Sequence, residues 1–287
     1  MTYSIIAKCS ETGQYGVGIQ SHFYAAGNAC WANAGVGAVV TQAMALIDHG
    51  PLGLKLMAKG KSASEALSER LNIDPDPEIR QVAMLDSNGR VAAHTGSVTI
   101  PAAGHVMGEG FSCQANLMWN DTVPQEMADA FVNSNGDLAH RLLTALFAGQ
   151  SAGGDIRGMQ SGRILVVDSN TMDKDWEGIL VDVNVDDHSE PLKEIERLLK
   201  VNSIYSDFTK KGYELELGKN QAEEYPEIAF WTGINLASKG DLEKGKQLTD
   251  IALSNHDGWR ELLIRCSKKN FFGITDELAQ KLLNNEQ

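Results

Sequence analysis

Alternating apolar and polar residues predict several short strands in the first two thirds of the chain. Thr2–Lys8 is β-branched and alternating, and Tyr15–Gln20 follows it after a glycine-containing turn. Arg80–Asp86 and Arg90–Thr95 flank Asn88-Gly89, a pair that accepts the positive φ values of a tight hairpin turn. The remaining predicted strands are Gly35–Ala43, Phe111–Asn116, Arg163–Asp168 and Gly178–Val183.

Apolar residues at helical spacing predict two pairs of helices between these strands. The first pair begins after Gly50-Pro51 and at Ser62, which has the spacing of a capping box with Glu65. The second pair covers Pro124–Asn133 and Leu138–Ala148. Strands therefore come in groups separated by paired helices. That order favours a layered α+β fold, with helices packed on sheets, over alternating βαβ units.

The composition changes near residue 188. Glycine falls from 21 residues in the first 187 to 7 in the last 100, while the net charge changes from −10 to −3. Glycine-rich sequence is typical of turns between strands, and sequence rich in lysine and glutamate is typical of helices. We therefore predict two domains, residues 1–187 and residues 188–287, with Pro191 at the start of a helix.

In the predicted second domain, apolar residues at helical spacing predict helices only. A glycine at 240 ends one helix and Asp241 can cap the next, so the segment is similar to tetratricopeptide packing, although fewer than three repeats are visible. The predicted helices are Glu190–Phe208, Glu223–Ser238, Glu243–Ser254 and Gly258–Lys269.

Charge and hydropathy exclude several classes of function. The 287 residues carry a net charge of −13, which would repel a phosphate backbone, so nucleic acid is not expected as a partner. No run of about 18 apolar residues occurs, so we expect no membrane span. The N-terminus lacks both the basic and the long apolar region of a secretory signal, and the expected location is the cytoplasm.

Sequence motifs for metals and cofactors are also missing. The four cysteines form no CxxC pair, and the seven histidines form no HxH, HxxxH or HExxH pair, so neither a metal nor another cofactor is expected. No GxSxG elbow, Walker loop or dinucleotide fingerprint occurs.

Thr2 offers a different route to catalysis. Methionine is generally removed before a small residue, and removal of Met1 would give Thr2 a free α-amine. Such an amine has a pKa of about 7.7–8.0, so part of it is neutral near pH 7. It could take the proton from the hydroxyl of the same residue and activate that oxygen as a nucleophile.

Eight stretches of the first domain, taken in order, resemble the DUF1028 family, which is placed among the N-terminal nucleophile (Ntn) hydrolase-like proteins. Together they span most of residues 2–168. They are Thr2–Ala7, Gly16–Ser21, Gly35–Ala43, Gly50–Leu54, Asp86–Gly96, Ala103–His105, Gly108–Asn116 and Ala152–Ser161.

The resemblance implies a four-layer αββα sandwich followed by a small all-α domain, and it implies no particular substrate. The helical tail resembles a segment that often follows this domain and is described as peptidoglycan-binding. Two positions depart from the family pattern: His22 stands where arginine is common, and Ala115 where glycine is common. Losing the arginine removes a bidentate partner for a carboxylate, so a preference for acidic substrates is not expected.

The candidate catalytic residues are Thr2, Gln114 and Asn116. Gln114 and Asn116 are two residues apart, so on a strand their amides share one face and could donate to an oxyanion. The candidate substrate-binding residues are Ser21, His22, Gln42, His94, Thr95, His105, Asp155 and Arg157.

Two functions stay open at this point. The first is an Ntn-type hydrolase in which Thr2 cleaves a small amide or peptide-like bond. The second is a non-catalytic binding module that keeps the sandwich and uses its cleft or helical tail as an interaction surface. Self-association into a homo-oligomer is compatible with either.

Overall fold

A computed structural model describes residues 2–212, 215 and 217–283 of the chain. It divides into two compact units, residues 1–200 and residues 201–287. Met1, whose removal the nucleophile hypothesis requires, lies outside the described residues. The domain boundary at 187/188 stays a prediction.

A six-stranded antiparallel sheet forms the centre of the first unit, in the order β10-β9-β2-β1-β8-β7. Strand β1 therefore has neighbours on both sides, β2 and β8. The strands are β1 (Thr2–Lys8), β2 (Tyr15–Ser21), β7 (Gly104–Gly108), β8 (Phe111–Asn116), β9 (Ser161–Val167) and β10 (Ile179–Val185).

A second antiparallel sheet of four strands, in the order β3-β4-β5-β6, packs against the first. Inward-facing apolar side chains of both sheets form one buried cluster, which includes Ile6 and Val17 from one sheet and Val40 and Leu85 from the other. The strands are β3 (Cys30–Asn33), β4 (Gly37–Ala43), β5 (Arg80–Asp86) and β6 (Val91–Thr95).

Paired helices cover the outer face of each sheet. Helices α1 (His49–Ala58) and α2 (Ala63–Asn72) pack on the four-stranded sheet around Leu54 and Leu67. Helices α3 (Val123–Asn133) and α4 (Leu138–Ser151) pack on the six-stranded sheet. The layers thus follow the order helix, sheet, sheet, helix, and the predicted α+β sandwich is confirmed.

Local sequence explains several element boundaries. Ser62 accepts a hydrogen bond from the amide of Glu65, whose carboxylate accepts one from the Ser62 amide, and this capping box begins α2. Strand β4 begins at Gly37 rather than at Gly35, and Gly37 has a φ of +141°. A side chain there would lie against the Leu85 carbonyl, so the close approach of β4 to β5 requires glycine.

Helix α5 (Pro191–Lys211) starts in the first unit. Leu192, Ile195 and Leu199 are buried in the same apolar cluster as α3 and α4. Gly162 of β9 leaves room for them, because a Cβ at that position would lie 3.0 Å from the Ile195 side chain. The beginning of α5 is therefore part of the sandwich's outer helical layer.

The regular elements in the described part of the second unit are helices. Helices α7 and α8 approach each other closely at Gly233 and Gly245, where an added Cβ would meet the partner's backbone at 2.7 and 2.6 Å. No helix in the described ranges is both long and apolar enough to cross a membrane. The helices after α5 are α6 (Lys219–Glu224), α7 (Pro226–Ser238), α8 (Leu242–Asn255), α9 (Gly258–Lys268) and α10 (Asp276–Leu283).

Candidate functional site

Thr2 is the first residue of β1, between the ends of β2 and β8. It pairs with Ser21 on one side and with Asn116 on the other. Directly opposite residues of antiparallel strands project to the same face, so these three side chains lie together on the face that meets the second sheet. All three are buried, and Thr2 is 6% exposed.

Hydrogen bonds hold Thr2 at both its side chain and its backbone. The hydroxyl donates to the Ser21 hydroxyl at 3.0 Å. The Thr2 carbonyl accepts from the amide of Gln42 at 3.1 Å and from the amide of Asn116 at 3.3 Å. Gln42 comes from β4, so residues of both sheets fix the position of Thr2.

A chain of buried polar side chains continues from Thr2 between the sheets. Ser112 donates to the carbonyl oxygen of Gln114 at 2.9 Å, and the amide of Gln114 donates to Ser4 at 2.7 Å. The Ser4 hydroxyl in turn donates to Gln42 at 2.6 Å. Each hydroxyl or amide in this series therefore donates a hydrogen bond to the next side chain, which avoids the cost of an unpaired polar atom in the core.

Gln81 joins this chain to the edge of the site. Its carbonyl oxygen accepts from Gln42 at 2.6 Å and from Asn116 at 3.0 Å. Its amide donates to the Thr95 hydroxyl at 2.8 Å and to two backbone carbonyls. Gln81 is not among the residues predicted from the sequence, although its polar side chain directly precedes the apolar run Val82–Leu85 of β5, which is a signal of a buried polar group.

The predicted residues of β6 and β7 lie at the outer end of the network. Thr95 is hydrogen-bonded to Nδ1 of His105 at 2.8 Å. Burial lowers the pKa of His105, and the neighbouring His94 lowers it further. His94 itself is hydrogen-bonded to the Pro77 carbonyl at 2.9 Å. It therefore holds the segment that contains Pro77 in place and is not part of the surroundings of Thr2.

A cavity of about 530 Å³ opens at Thr2. Ser21 and Gln42 also line it, so the wall of the cavity contains three of the predicted site residues, Thr2 included. Apolar side chains from the segments after β2 and β4 form most of the rest. These residues include Phe23, Tyr24, Ala26, Ala29, Met44 and Ile47.

A smaller cavity of about 290 Å³ adjoins the first and shares Phe23, Ala43 and Met44 with it. Asn116 and Arg157 line this second space. Arg157 forms an ion pair with Asp155, with nitrogen–oxygen distances of 3.0 and 2.8 Å. Oδ2 of Asp155 also accepts from the backbone amide of His22 at 3.2 Å, so the pair holds the segment after β2 in place.

A buried cluster anchors the other segment that lines the larger cavity. His49 and Arg80 both bind the Asp74 carboxylate, at 2.8 and 3.0 Å, and Arg80 also donates to the Met44 carbonyl at 2.7 Å. Burial alone would raise the pKa of Asp74, but hydrogen bonds from Arg80, the Asp76 amide and His49 hold it well below its usual value. Burial lowers the pKa of His49, despite its bond to Asp74.

The structure thus gathers most of the predicted residues around Thr2, directly or through the network and the two cavities, and leaves His94 apart. None of the groups hydrogen-bonded to Thr2 in these contacts is a carboxylate, histidine, lysine or arginine. Within the described ranges, no three histidine, cysteine, aspartate or glutamate residues come together as a metal site.

No curated protein matches this chain. The crystal structure of protein SPO2555 from Silicibacter pomeroyi, a DUF1028 protein, superposes with a TM-score of 0.65 and 26% sequence identity, over 72% of this chain and 92% of that one. A sequence model described as a family of unknown function, DUF1028, matches residues 2–195, which include the whole sandwich and the start of α5. The chain that places Thr2 at this cavity therefore belongs to the DUF1028 family.

Proposed function

We propose that this protein is an N-terminal nucleophile amidohydrolase that cleaves a small amide or peptide-like bond with Thr2. The observation that carries the proposal is the position of the Thr2 hydroxyl, which lies at the end of a central strand beside a cavity of about 530 Å³. Cytoplasmic location and self-association remain predictions from the sequence.

In the proposed reaction, removal of Met1 leaves Thr2 with a free α-amine. The neutral amine takes the proton from the Thr2 hydroxyl as Oγ1 attacks the substrate carbonyl. The C–N bond then breaks, and the same proton passes to the departing nitrogen. Water attacks the resulting ester on Thr2, which restores the hydroxyl and releases the carboxylic acid.

The hydrogen bonds on Thr2 support this role because they fix the reacting atom without using an ionisable group. Gln42 and Asn116 hold the carbonyl, and Ser21 orients the hydroxyl. Correct placement of a nucleophile lowers the barrier by removing the entropy cost of bringing the reactants together.

The experiment is a comparison of Thr2→Ala, Thr2→Ser and the natural chain. Thr2→Ala is expected to abolish turnover of a simple amide and covalent addition of an amide-mimicking electrophile, while Thr2→Ser keeps part of both. Intact mass should show that Met1 is absent from the natively expressed protein. Thr122→Ala, a substitution of an exposed threonine before α3, is the matched control and should change neither readout.

Full turnover by Thr2→Ala, or uniform retention of Met1, would contradict the proposal. The second outcome would leave the non-catalytic binding module as the better description, because an amide nitrogen at Thr2 cannot act as a base.

A further inference from the structure

The described residues that line the larger cavity include no aspartate, glutamate, lysine, arginine or histidine. Its polar members are Thr2, Ser21, Asn28, Thr41 and Gln42, whose side chains are all uncharged. Ser21 and Gln42 form hydrogen bonds within the protein, whereas the buried Thr41 hydroxyl has no partner among the described residues. Apart from the Thr2 α-amine, which the proposed reaction uses in its neutral form, the cavity offers no partner of opposite charge. A charged group that loses water without such a partner is strongly disfavoured.

Large apolar side chains form the mouth of the same cavity. Phe23, Tyr24 and Met44 are 66%, 63% and 63% exposed, and Ile47 is 49% exposed. Small residues, among them Ala26 and Ala29, lie deeper and leave the space open. Exposed apolar side chains concentrated at one opening are typical of a surface that is covered by a ligand.

Thr2 identifies which part of a substrate would occupy this space. Thr2 lines the larger cavity, whereas Asn116 and Arg157 line the smaller one. In the acyl-enzyme the acyl group is bonded to Thr2 Oγ1, so it must lie in a cavity that this residue borders. The departing amine has no such requirement.

We infer that the substrate's acyl group is an uncharged, apolar chain or ring, held in the larger cavity beside Thr2. This inference rests on the proposed function and adds the chemical class of the substrate. The bond made is between Thr2 Oγ1 and the acyl carbon, the bond broken is the amide C–N bond, and the hydroxyl proton leaves with the amine.

The experiment measures kcat/KM of the full chain for three 4-nitroanilides that differ only in the acyl group: acetyl, octanoyl and 7-carboxyheptanoyl. Burial of one methylene changes a rate constant by about fourfold. Because the mouth of the cavity is open to water, we expect the octanoyl substrate to exceed the acetyl one by about tenfold or more. The octanoyl and 7-carboxyheptanoyl groups have equal length, and the charged one should be cleaved about tenfold less efficiently.

Met44→Lys tests whether the cavity sets this preference. A lysine at the mouth should raise cleavage of the carboxylate-ended substrate relative to the octanoyl substrate by about tenfold. Met107→Lys is the matched control, since Met107 is 49% exposed on β7 and lines neither cavity, and it should leave the ratio unchanged.

The results separate the inference from the proposed function. Thr2-dependent cleavage of all three substrates at similar rates, or a ratio that Met44→Lys does not change, would overturn the apolar acyl class and leave the hydrolase intact. Absence of both cleavage and Thr2 acylation with every acyl group would overturn the two together.

Discussion

Asn116 and Gln114 carry the same side-chain amide, yet they hold different positions relative to Thr2. Asn116 pairs directly with Thr2, and its amide lies 3.3 Å from the Thr2 carbonyl oxygen. Gln114 pairs with Ser4, about 6.6 Å further along the strand, and donates to the Ser4 hydroxyl. Asn116 also lines the smaller cavity, so it is the better placed of the two to reach a substrate oxygen, to which its amide would donate in place of its longer bond to the Thr2 carbonyl.

We therefore expect Asn116→Ala to lower kcat by about 10²–10³, the usual loss for one oxyanion donor, with a smaller change in KM. Steady-state kinetics over a full substrate range would separate the two constants. Gln114→Ala removes an amide of the same type two residues away on the same strand, and we expect it to lower kcat less. An equal loss in both variants would point to general support of the network instead of donation to the oxyanion.

Spacing in the sequence was sufficient to place Gln114 and Asn116 on one face of their strand, because alternation along a strand is a local property. Their position beside Thr2 depends on the pairing of β1 with β8, which joins residues more than 100 positions apart. The positions of Gln42 and Gln81 opposite them depend on how the second sheet packs on the first. That packing joins residues about 40 and 80 positions away from Thr2, and no local pattern encodes it. The two cavities are products of the same packing.

At the scale of elements, the segment between β4 and α1 owes its position to buried charges. Arg80 holds the Met44 carbonyl and is itself bound to Asp74, which also binds His49 at the start of α1. Arg70 and Arg80 lie close enough to lower the pKa of His49, in addition to the effect of its burial. The neutral form of His49 is therefore the one that the folded protein favours.

This cluster predicts a loss of stability in acid. The pKa of His49 is lower in the folded protein than the unfolded value of about 6.5, so its contribution is complete above that pH and is lost as the pH falls. The pKa of Asp74 is also lowered, and its contribution is lost further down, below about pH 3.9. One proton taken up on unfolding changes the free energy by at most about 1.4 kcal/mol per pH unit.

Urea unfolding between pH 7 and pH 5 would measure the effect. The natural chain should lose stability over this range, and His49→Gln should reduce the slope although it lowers stability at pH 7. The part of the slope that His105 contributes through its own lowered pKa should remain. His188→Gln, at an exposed position before α5, serves as the control and should keep the slope of the natural chain. A natural chain whose stability is independent of pH over this range would refute the assignment.

The elements predicted best from the sequence are those whose ends are specified by residues close together in the chain. The Asn88-Gly89 turn and the Ser62 capping box both occur where their residues indicated. Strands β3 (Cys30–Asn33) and β7 (Gly104–Gly108) were not predicted, since each is short and forms the edge of its sheet. Such strands depend on a neighbour for their hydrogen bonds and carry little alternation of their own.

For the whole molecule, the change in composition and the change in packing do not fall at the same residue. Composition changes near 188, whereas the first compact unit continues to Lys200. The match to the family also continues to residue 195. Leu192, Ile195 and Leu199 account for the difference, because their side chains are buried in the same apolar cluster as those of α3 and α4.

Two truncations distinguish these boundaries. A chain ending at residue 200 keeps all three apolar side chains, while a chain ending at 187 loses them. Full burial of one such side chain contributes about 1.5–3 kcal/mol, so the shorter chain should be less stable by several kcal/mol. Denaturant unfolding of both would show it, and equal midpoints would support a domain that is complete at 187.

The polar chain from Ser112 to Gln81 also determines how one sheet is aligned over the other. Contacts between apolar side chains are non-directional, so on their own they fix the alignment of two sheets less sharply than hydrogen bonds do. The amides of Gln42 and Gln81 add a directional constraint, since their partners on β1 and β8 must stay within hydrogen-bonding distance. These hydrogen bonds therefore keep Thr2 in a fixed alignment with the part of the cavity wall that β4 forms. They restrict lateral movement between the sheets at the position of the candidate nucleophile, which requires a fixed position.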